Sequence, residues 1–278
     1  MIHETAVVSE DAVVGEGVEI GPYAIVEEDV EIGAGSKIAA HAILRSGARI
    51  GASVTIESFA VIAGLPQDLS FDPSTKTYVR IGDRTTVREG STINRATKEG
   101  EATREGEDCF LMAVTHLGHD CKIGNRVIIG NNSLLGGFVS VDDFAFLGGN
   151  SGIHQFCRIG KGVMFGGDST ATQDVPPFTM IAGRNELFGL NVVGLRRRGV
   201  SREGINPKIG DGVLISAGAK ILGNIAVGEG AKIGAGSVVL RDVPPHTTVA
   251  GVPAKVVGKP DSDLPALNMN HEIPDYEW

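Results

Sequence analysis

The sequence predicts an all-β protein, a parallel β-helix of hexapeptide repeats, on two observations. The chain includes 39 glycines but only 5% aromatic residues, which indicates frequent tight turns and few large core side chains. From residue 6 to residue 65 it also divides into sixes, which predicts coils of three short strands each. The third position of each repeat is aliphatic: Val8, Val14, Ile20, Val26, Ile32, Ile38, Leu44, Ile50, Ile56 and Ile62.

A first β-helical domain is predicted for residues 1–177. The hexapeptide pattern is interrupted between Pro66 and Tyr78, and again from about Lys98 to Asp108. These interruptions are predicted to be polar loops, and loops on a rigid scaffold often carry function. The paired prolines after Val175 are expected to end the ladder, because proline cannot donate a ladder hydrogen bond.

Three segments follow the first domain. Residues 178–205 have no hexads and some helical character, so they are predicted to be a connecting segment. The hexapeptide repeats resume in residues 206–258, which predicts a second β-helical block. Residues 259–278 are polar and contain prolines, and we expect a poorly ordered tail.

Composition restricts the classes of function. A net charge of −9 argues against nucleic acid as the main partner. The sequence shows no signal segment and no apolar run long enough for a transmembrane segment, so we expect a cytoplasmic protein. Three scattered cysteines are too few for a disulfide framework.

The stretch T-H-L-G-H-D-C, residues 115–121, carries the densest group of reactive side chains. The repeat places Cys121 at an inward position, which disfavours a thiol nucleophile. It places His116 and His119 on different sides of a turn with no third ligand nearby, which disfavours zinc. A general base remains, since an imidazole beside a carboxylate can deprotonate a hydroxyl. His154 and Gln155 are predicted two coils away, at roughly 10 Å.

A family resemblance rests on the runs GLPQDLSF, VREGSTINRAT, THLGHDCKIGNR, GFVSVDDFAFLGG, HQFCRIG, QDVPPF and FGLNVVGLRRRGVSRE. With them, residues 1–203 resemble the UDP-N-acetylglucosamine O-acyltransferases, which are homotrimeric left-handed parallel β-helices. The resemblance implies transfer of a 3-hydroxyacyl chain from acyl carrier protein to the 3-hydroxyl of UDP-N-acetylglucosamine, the first step of lipid A biosynthesis. The donor would be the phosphopantetheine thioester, with no metal and no other cofactor.

The resemblance also implies roles for individual residues. His119 matches the general base, Asp120 lies beside it, and the backbone N–H of Gly137 matches an oxyanion donor. Gly167 matches a position whose small size admits a hydroxylated acyl chain. The remaining substrate contacts comprise the sugar contacts Gln67 and Asp68, the pocket residues His116, His154 and Gln155, and the nucleotide contacts Asn191, Arg197 and Arg198.

Four positions depart from the family pattern. Phe138 and Asn185 each replace a histidine, the first in the sugar pocket and the second at the floor of the acyl groove. Ser70 replaces a lysine near the phosphates, and Val193 replaces a glutamate that can touch the nucleotide.

The end of the chain departs further. After residue 203 the family continues into a basic helical domain that helps hold the carrier protein. Residues 206–265 instead resemble the last coils of serine O-acetyltransferase, without that enzyme's catalytic coils, and Asn206 replaces the histidine before P-K-I. The chain is therefore interpreted as a mosaic, natural or engineered. A non-catalytic trimeric scaffold and an acetyl-CoA-dependent acetyltransferase are the alternative hypotheses.

Overall fold

The computed structural model describes residues 1–201 and 204–271, which fall into two compact units, residues 1–188 and 189–278. The first unit is a left-handed parallel β-helix, so the predicted fold class is confirmed. Its strands are β1 Val7–Val8, β2 Val13–Val14, β3 Glu19–Ile20, β4 Ile25–Val26, β5 Glu31–Ile32, β6 Lys37–Ile38, β7 Ile43–Leu44, β8 Ala48–Ile50, β9 Thr55–Ile56, β10 Val61–Gly64, β11 Tyr78–Ile81, β12 Thr86–Val87, β13 Thr92–Asn94, β14 Ala102–Glu105, β15 Phe110–Leu111, β16 His116–Leu117, β17 Lys122–Ile123, β18 Ile128–Ile129, β19 Leu134–Leu135, β20 Ser140–Val141, β21 Phe146–Leu147, β22 Gly152–Ile153, β23 Arg158–Ile159, β24 Met164–Phe165, β25 Thr170–Ala171, β26 Thr179–Ala182 and β27 Glu186–Leu190.

Successive strands belong in turn to three parallel sheets, here called the first, second and third faces. The first face runs from β1 through every third strand to β25, the second from β2 to β23, and the third from β3 through β24 to β26 and β27. In most hexads the first position is small or valine and the third is aliphatic, and both point inward, as Ala42 and Leu44 show with no exposed surface. The second position points outward, so each strand presents one side chain to the surface.

The ladder register absorbs the two loops without a change of phase. Ile43 pairs with Val61, three hexads further along. Val61 in turn pairs with Thr92, and Thr92 pairs with His116, and both of these partners are more than three hexads apart in sequence. Two coils therefore carry inserts, a longer one between β10 and β11 and a shorter one between β13 and β14. Both inserts leave from the first face, and the strand that follows each of them resumes its place on the second face.

The second loop is shorter than the predicted break from Lys98 to Asp108. Residues 102–105 form β14, which pairs with β11 on one side and β17 on the other. Glu105 occupies the inward third position of this hexad and stacks between Ile81 and Ile123. The sequence pattern did not predict this hexad, because its third position carries a charged residue instead of an aliphatic one.

The prediction that the paired prolines end the ladder at residue 177 is wrong. Val175 still bridges to Ile159, and β26 pairs Met180 with Met164. Pro177 lies in the turn between these contacts, where no ladder donor is required. Thr179 then takes the small inward position with no exposed surface, so the β-helix continues past the prolines.

The second unit contains the helix α1, a smaller set of parallel strands, and the helix α2. Its core comprises Val227, Ala231, Ile233, Val239, Val243 and Val249. Residues 272–278 of the predicted tail lie outside the described residues. The elements are α1 Val192–Arg197, β28 Lys208–Ile209, β29 Leu214–Ile215, β30 Lys220–Ile221, β31 Ala226–Val227, β32 Lys232–Ile233, β33 Val238–Val239, β34 Thr248–Gly251, β35 Ala254–Gly258 and α2 Pro265–Asn268.

The connecting segment predicted for residues 178–205 contains β26, β27 and α1, so only its later part is helical. In the second unit the ladder again has a register of three hexads, since Lys208 pairs with Ala226 and Leu214 with Lys232. The last strand, β35, folds back antiparallel on β34. Within residues 1–201 and 204–271, no helix has the length and hydropathy of a membrane span.

Glu105 is a carboxyl group inside the apolar core of the first unit. Its side chain is buried, and neither carboxyl oxygen has a hydrogen-bond partner among the described residues. Burial raises the pKa of Glu105 from 4.5 to about 8, because the charged form loses its hydration without gaining a counter-charge. The folded chain therefore holds a proton on Glu105 at neutral pH that the unfolded chain releases.

This proton makes stability depend on pH. We expect the contribution of Glu105 to the free energy of unfolding to be fully present below pH 4.5. It should fall by on the order of 5 kcal/mol as the pH rises to about 8. Glu105→Gln removes that dependence, whereas Glu10→Gln, at an exposed carboxylate, leaves it in place. Urea unfolding from pH 4.5 to 8.5 at one protein concentration measures the effect. Parallel pH curves for wild type and Glu105→Gln would contradict the assignment.

Candidate active site

The candidate site is the corner of the prism between β16 and β17, where the chain turns from the first face to the second. Asp120 adopts a left-handed backbone conformation with φ 60°, which a short polar residue tolerates. This conformation directs its carboxylate back to the preceding residue, and the Asp120 Oδ2 to His119 Nδ1 distance is 2.9 Å. The side chains of His119 and Asp120 are only 15% and 11% exposed, so solvent screens the pair weakly.

Two threonines from the preceding coil hold Asp120. The backbone N–H and the hydroxyl of Thr97 both donate to Asp120 Oδ2, at 3.1 and 2.8 Å. The backbone N–H of Asp120 donates to the Thr103 hydroxyl at 2.8 Å. Neither threonine was predicted from the sequence, because the second insert lies within this coil and so breaks the regular three-hexad spacing between Thr97 and Asp120.

The ring of His119 is confined on two further sides. A Cβ atom at Gly137, one coil further along, would lie 2.5 Å from the ring Cε1 and 2.6 Å from Nε2, so a larger residue there would displace the His119 ring. The ring of Phe138 meets the imidazole edge-on, at 5.3 Å between centroids. In the described residues the Gly137 N–H donates no hydrogen bond, so a residue that packs against the His119 ring has an available backbone donor.

A cleft of about 420 Å³ opens from this corner along the first face. Ladder pairing aligns four outward positions along it, those of His116, Leu134, Gly152 and Thr170. Glycine at one of these positions deepens the groove. The residues that line the cleft are Gln67, His116, Gly118, His119, Leu134, Leu135, Gly136, Gly137, Gly152, Ile153, His154, Gln155, Thr170 and Thr172.

His116 and His119 both face this cleft, which corrects the prediction that a turn separates them. The outward second position of β16 and the corner that follows it open on the same side. The Thr92 hydroxyl lies 2.7 Å from His116 Nδ1. Burial, and secondarily the charge of His119, lower the pKa of His116, so this ring is uncharged at neutral pH.

The first insert brings Gln67 and Asp68 to the site. Gln67 lines the cleft, and Asp68 is near enough to His119 for the two charges to interact. The Ser70 hydroxyl and backbone N–H both donate to Asp68 Oδ1, at 2.7 and 2.9 Å, and these bonds lower the pKa of Asp68. Ser70 therefore fixes the orientation of a carboxylate where the family pattern has a lysine.

Asn185 and Gly167 both lie outside the lining of the cleft. Asn185 donates to the Thr172 hydroxyl at 2.7 Å and accepts from the Thr172 N–H at 2.8 Å, and Thr172 is the last residue of the lining. Gly167 does not line the cleft, and a Cβ atom there would meet the Gly149 carbonyl oxygen at 3.4 Å. The role assigned to Gly167 stays a prediction.

The residues predicted to contact the nucleotide belong to the second unit. Asn191 accepts from the Gly194 N–H at 2.9 Å and so caps the start of α1. Arg197 lies in the last turn of α1 and Arg198 follows it. Their contact with nucleotide stays a prediction.

The thiol of Cys121 faces the core. It donates to the Gly136 carbonyl at 3.2 Å, and burial raises the pKa of Cys121 to about 12. A thiol with this pKa is protonated and unreactive at neutral pH. Among the residues that the structure describes, no group of three or more histidine, cysteine or acidic side chains could hold a metal ion.

Comparison with protein families separates the chain into matching segments. The sequence profile of bacterial transferase hexapeptide repeats matches residues 11–46, 106–137 and 206–241. The profile of the second domain of UDP N-acetylglucosamine O-acyltransferase matches residues 174–207. The profile of that domain thus ends where the last hexapeptide match begins.

Individual relatives fall into two groups. The chain is 48% identical over 208 residues to the acyl-[acyl-carrier-protein]–UDP-N-acetylglucosamine O-acyltransferase of Paraburkholderia phymatum, covering 74% of this chain and 79% of that one. It is 54% identical over 121 residues to the serine acetyltransferase of Escherichia coli, covering 44% of this chain. The chain thus spans only 43% of the serine acetyltransferase.

Solved structures show the same likeness. The UDP-N-acetylglucosamine acyltransferase of Campylobacter jejuni superimposes with a TM-score of 0.68 at 40% identity, over 71% of this chain and 78% of that chain. The enzyme of Francisella novicida gives a TM-score of 0.71 at 36% identity, over 73% of this chain and 75% of that chain.

The contact between Gly137 and the His119 ring yields a test. We expect Gly137→Ala to displace the ring from Asp120, since no room exists for the added methyl group. Ring ¹⁵N chemical shifts of His119 measure the loss of the Nδ1 hydrogen bond. Gly149→Ala is the matched control, because its Cβ atom would approach nothing nearer than the Asn131 oxygen at 3.3 Å. Unchanged ring shifts in Gly137→Ala would refute the packing described here.

Proposed function

The chain belongs to the family of UDP-N-acetylglucosamine O-acyltransferases, and from this premise we propose that it transfers a 3-hydroxyacyl chain from acyl carrier protein to the 3-hydroxyl of UDP-N-acetylglucosamine. The observation that carries the proposal is the His119–Asp120 pair, held by two threonines at the edge of an open cleft. The pair supplies a general base, which a sugar hydroxyl needs in order to attack a thioester.

His119 acts through Nε2. Asp120 accepts the Nδ1 proton, so in the neutral ring Nε2 carries the lone pair that removes the proton of the sugar hydroxyl. The hydroxyl oxygen then forms a bond to the thioester carbonyl carbon. The imidazolium produced in this step is stabilised by the adjacent Asp120 carboxylate, and Thr97 keeps that carboxylate in place.

The Gly137 N–H supports the next step. As the carbonyl carbon becomes tetrahedral, its oxygen gains negative charge, and the N–H of Gly137, a residue that packs against the His119 ring, stabilises that charge. The intermediate collapses by breaking the carbon–sulfur bond. The phosphopantetheine thiolate leaves and takes the proton from the imidazolium, which restores neutral His119.

The remaining site residues bind substrates. Gln67 and Asp68 hold the sugar, and the uncharged His116 lines the same cleft without repelling a cation formed at His119. Further along, His154 and Gln155 line the path of the acyl chain.

Further parts of the proposal follow from the family. Gly167 leaves space for the hydroxylated acyl chain, and Asn191, Arg197 and Arg198 contact the nucleotide and its phosphates. The protein works in the cytoplasm as a homotrimer with clefts between subunits, at the first step of lipid A biosynthesis. The donor thioester is the only cofactor required.

A second candidate is acetyl transfer from acetyl-CoA to serine. The 54% identity to serine acetyltransferase over 121 residues is the observation that favours it. Such an activity would use the CoA thioester and would not require carrier protein. The third possibility, a scaffold without catalysis, would use neither donor.

One assay separates these three hypotheses. We expect transfer from 3-hydroxyacyl carrier protein to UDP-N-acetylglucosamine by the wild type, and a loss of at least about 100-fold in kcat for His119→Ala, the scale of a missing general base. Acetyl-CoA with serine is run in parallel. Product from acetyl-CoA alone would support the second candidate, and no product from either donor would leave the scaffold hypothesis.

The Thr97 hydroxyl provides a finer test of the base. Thr97→Val removes the hydroxyl bond to Asp120 Oδ2, so we expect kcat to fall about tenfold while the KM for UDP-N-acetylglucosamine is unchanged. Thr97→Ser keeps the hydroxyl and is expected to restore the rate. Thermal melting of both variants checks the fold. Equal rates for Thr97→Val and wild type would show that Asp120 needs no such support.

A further inference from the structure

The second face of the β-helix carries a column of cations at the outward position of consecutive strands. Ladder pairing places Arg80 next to Arg104, and Arg104 next to Lys122. These three exposed side chains, on β11, β14 and β17, are called here the cationic ladder. Arg49 precedes it in the same column, and Arg158 follows after Ser140.

The two ends of the column are neutralised within the chain, but the ladder is not. Arg49 pairs with Asp29 at 2.5 Å and with Glu31 at 3.1 Å. Arg158 binds Asp174 through two nitrogens, at 2.6 and 2.8 Å. Among the described residues, no carboxylate forms an ion pair with any of the three ladder cations.

This arrangement costs stability in the isolated chain. Neighbouring strands are about 4.8 Å apart, and like charges directly opposite each other on a sheet repel. The surrounding protein has a net charge of −9, so the ladder is a local patch of the opposite sign. Adjacent cations without internal counter-charges match a partner with a row of carboxylates.

The ladder adjoins the corner that holds the proposed base. Arg104 follows Thr103, whose hydroxyl accepts from the Asp120 N–H, and Lys122 is the second residue after Asp120. A shallow cleft of about 410 Å³ lies beside Arg104 and Lys122. Asp142 and Asp143 also line this cleft. Asp143 is paired with Lys161 at 3.4 Å, and among the described residues Asp142 forms no ion pair with Arg104 or Lys122.

We propose that the cationic ladder is the docking surface for acyl carrier protein, an acidic partner. An acidic helix whose carboxylates recur every third or fourth residue presents them at nearly the spacing of the ladder cations. A carrier bound there would have its thioester arm near His119, around one corner of the prism. This inference rests on the proposed function.

The second unit differs from the domain that the family resemblance predicts after residue 203. The family resemblance predicts a basic helical domain after residue 203 for holding the carrier. Residues 204–271 instead form short strands and a single four-residue helix. The ladder therefore supplies positive charge on the β-helix itself.

Binding of holo acyl carrier protein, measured by surface plasmon resonance at several salt concentrations, tests the inference. For the triple variant Arg80→Gln, Arg104→Gln and Lys122→Gln, we expect the Kd to rise at least about tenfold, with a weaker salt dependence. The KM for UDP-N-acetylglucosamine and the kcat at saturating carrier are expected to be unchanged. Melting should occur at the same or a higher temperature, since repulsion is removed. Lys37→Gln, at an exposed cation on the third face paired with Glu19, is the control.

The possible results of these measurements distinguish failure of the docking assignment from failure of the proposed function. Carrier that binds the triple variant as tightly as wild type, while transfer persists, overturns the ladder assignment and leaves the proposed function standing. Unchanged carrier affinity with a shifted sedimentation coefficient assigns the ladder to contacts between copies of the chain, and also overturns the inference. A wild type that neither binds carrier nor transfers an acyl group refutes both.

Discussion

The hydrogen-bonded register between coils is the constraint on which the rest of the structure depends. Each coil of three hexads donates to the next, so residues at equivalent positions lie over one another along the whole prism. This register brings Gly137 against the ring of His119, and it aligns His116 with Leu134 in the floor of one cleft. A loop can enter a coil without disturbing these contacts, provided that the following strand returns to the ladder.

Sequence periodicity predicted the fold well because it reports the inward positions directly. It failed at Glu105, where a carboxyl replaced the expected aliphatic residue, and at Pro177, which lies in a turn where its missing donor is not needed. For the site, phase alone located Cys121 inward. The phase did not show that His116 shares a cleft with His119, because a hexapeptide phase gives the direction of a side chain only within its own coil.

The role of Thr97 could not be predicted from the sequence. An insert lies between Thr97 and Asp120 in the sequence, so the hydrogen bond between them does not follow the regular repeat spacing and is seen only in the structure. The physical consequence is a carboxylate held by two donors from Thr97 before any substrate arrives. In the proposed mechanism, the regular ladder behind His119 limits the reorganisation that proton transfer would require. The hydrogen-bonded scaffold and the orientation of the proposed base thus have the same origin.

The most direct measurement is a crystal structure of the protein with UDP-N-acetylglucosamine bound. The proposed mechanism predicts the sugar in the cleft beside His119, with its 3-hydroxyl oxygen about 3 Å from Nε2, while Asp120 keeps its bond to Nδ1. A sugar bound in that cleft with its 3-hydroxyl directed away from Nε2, or a nucleotide bound only elsewhere on the protein, would contradict the assignment of His119 as the base.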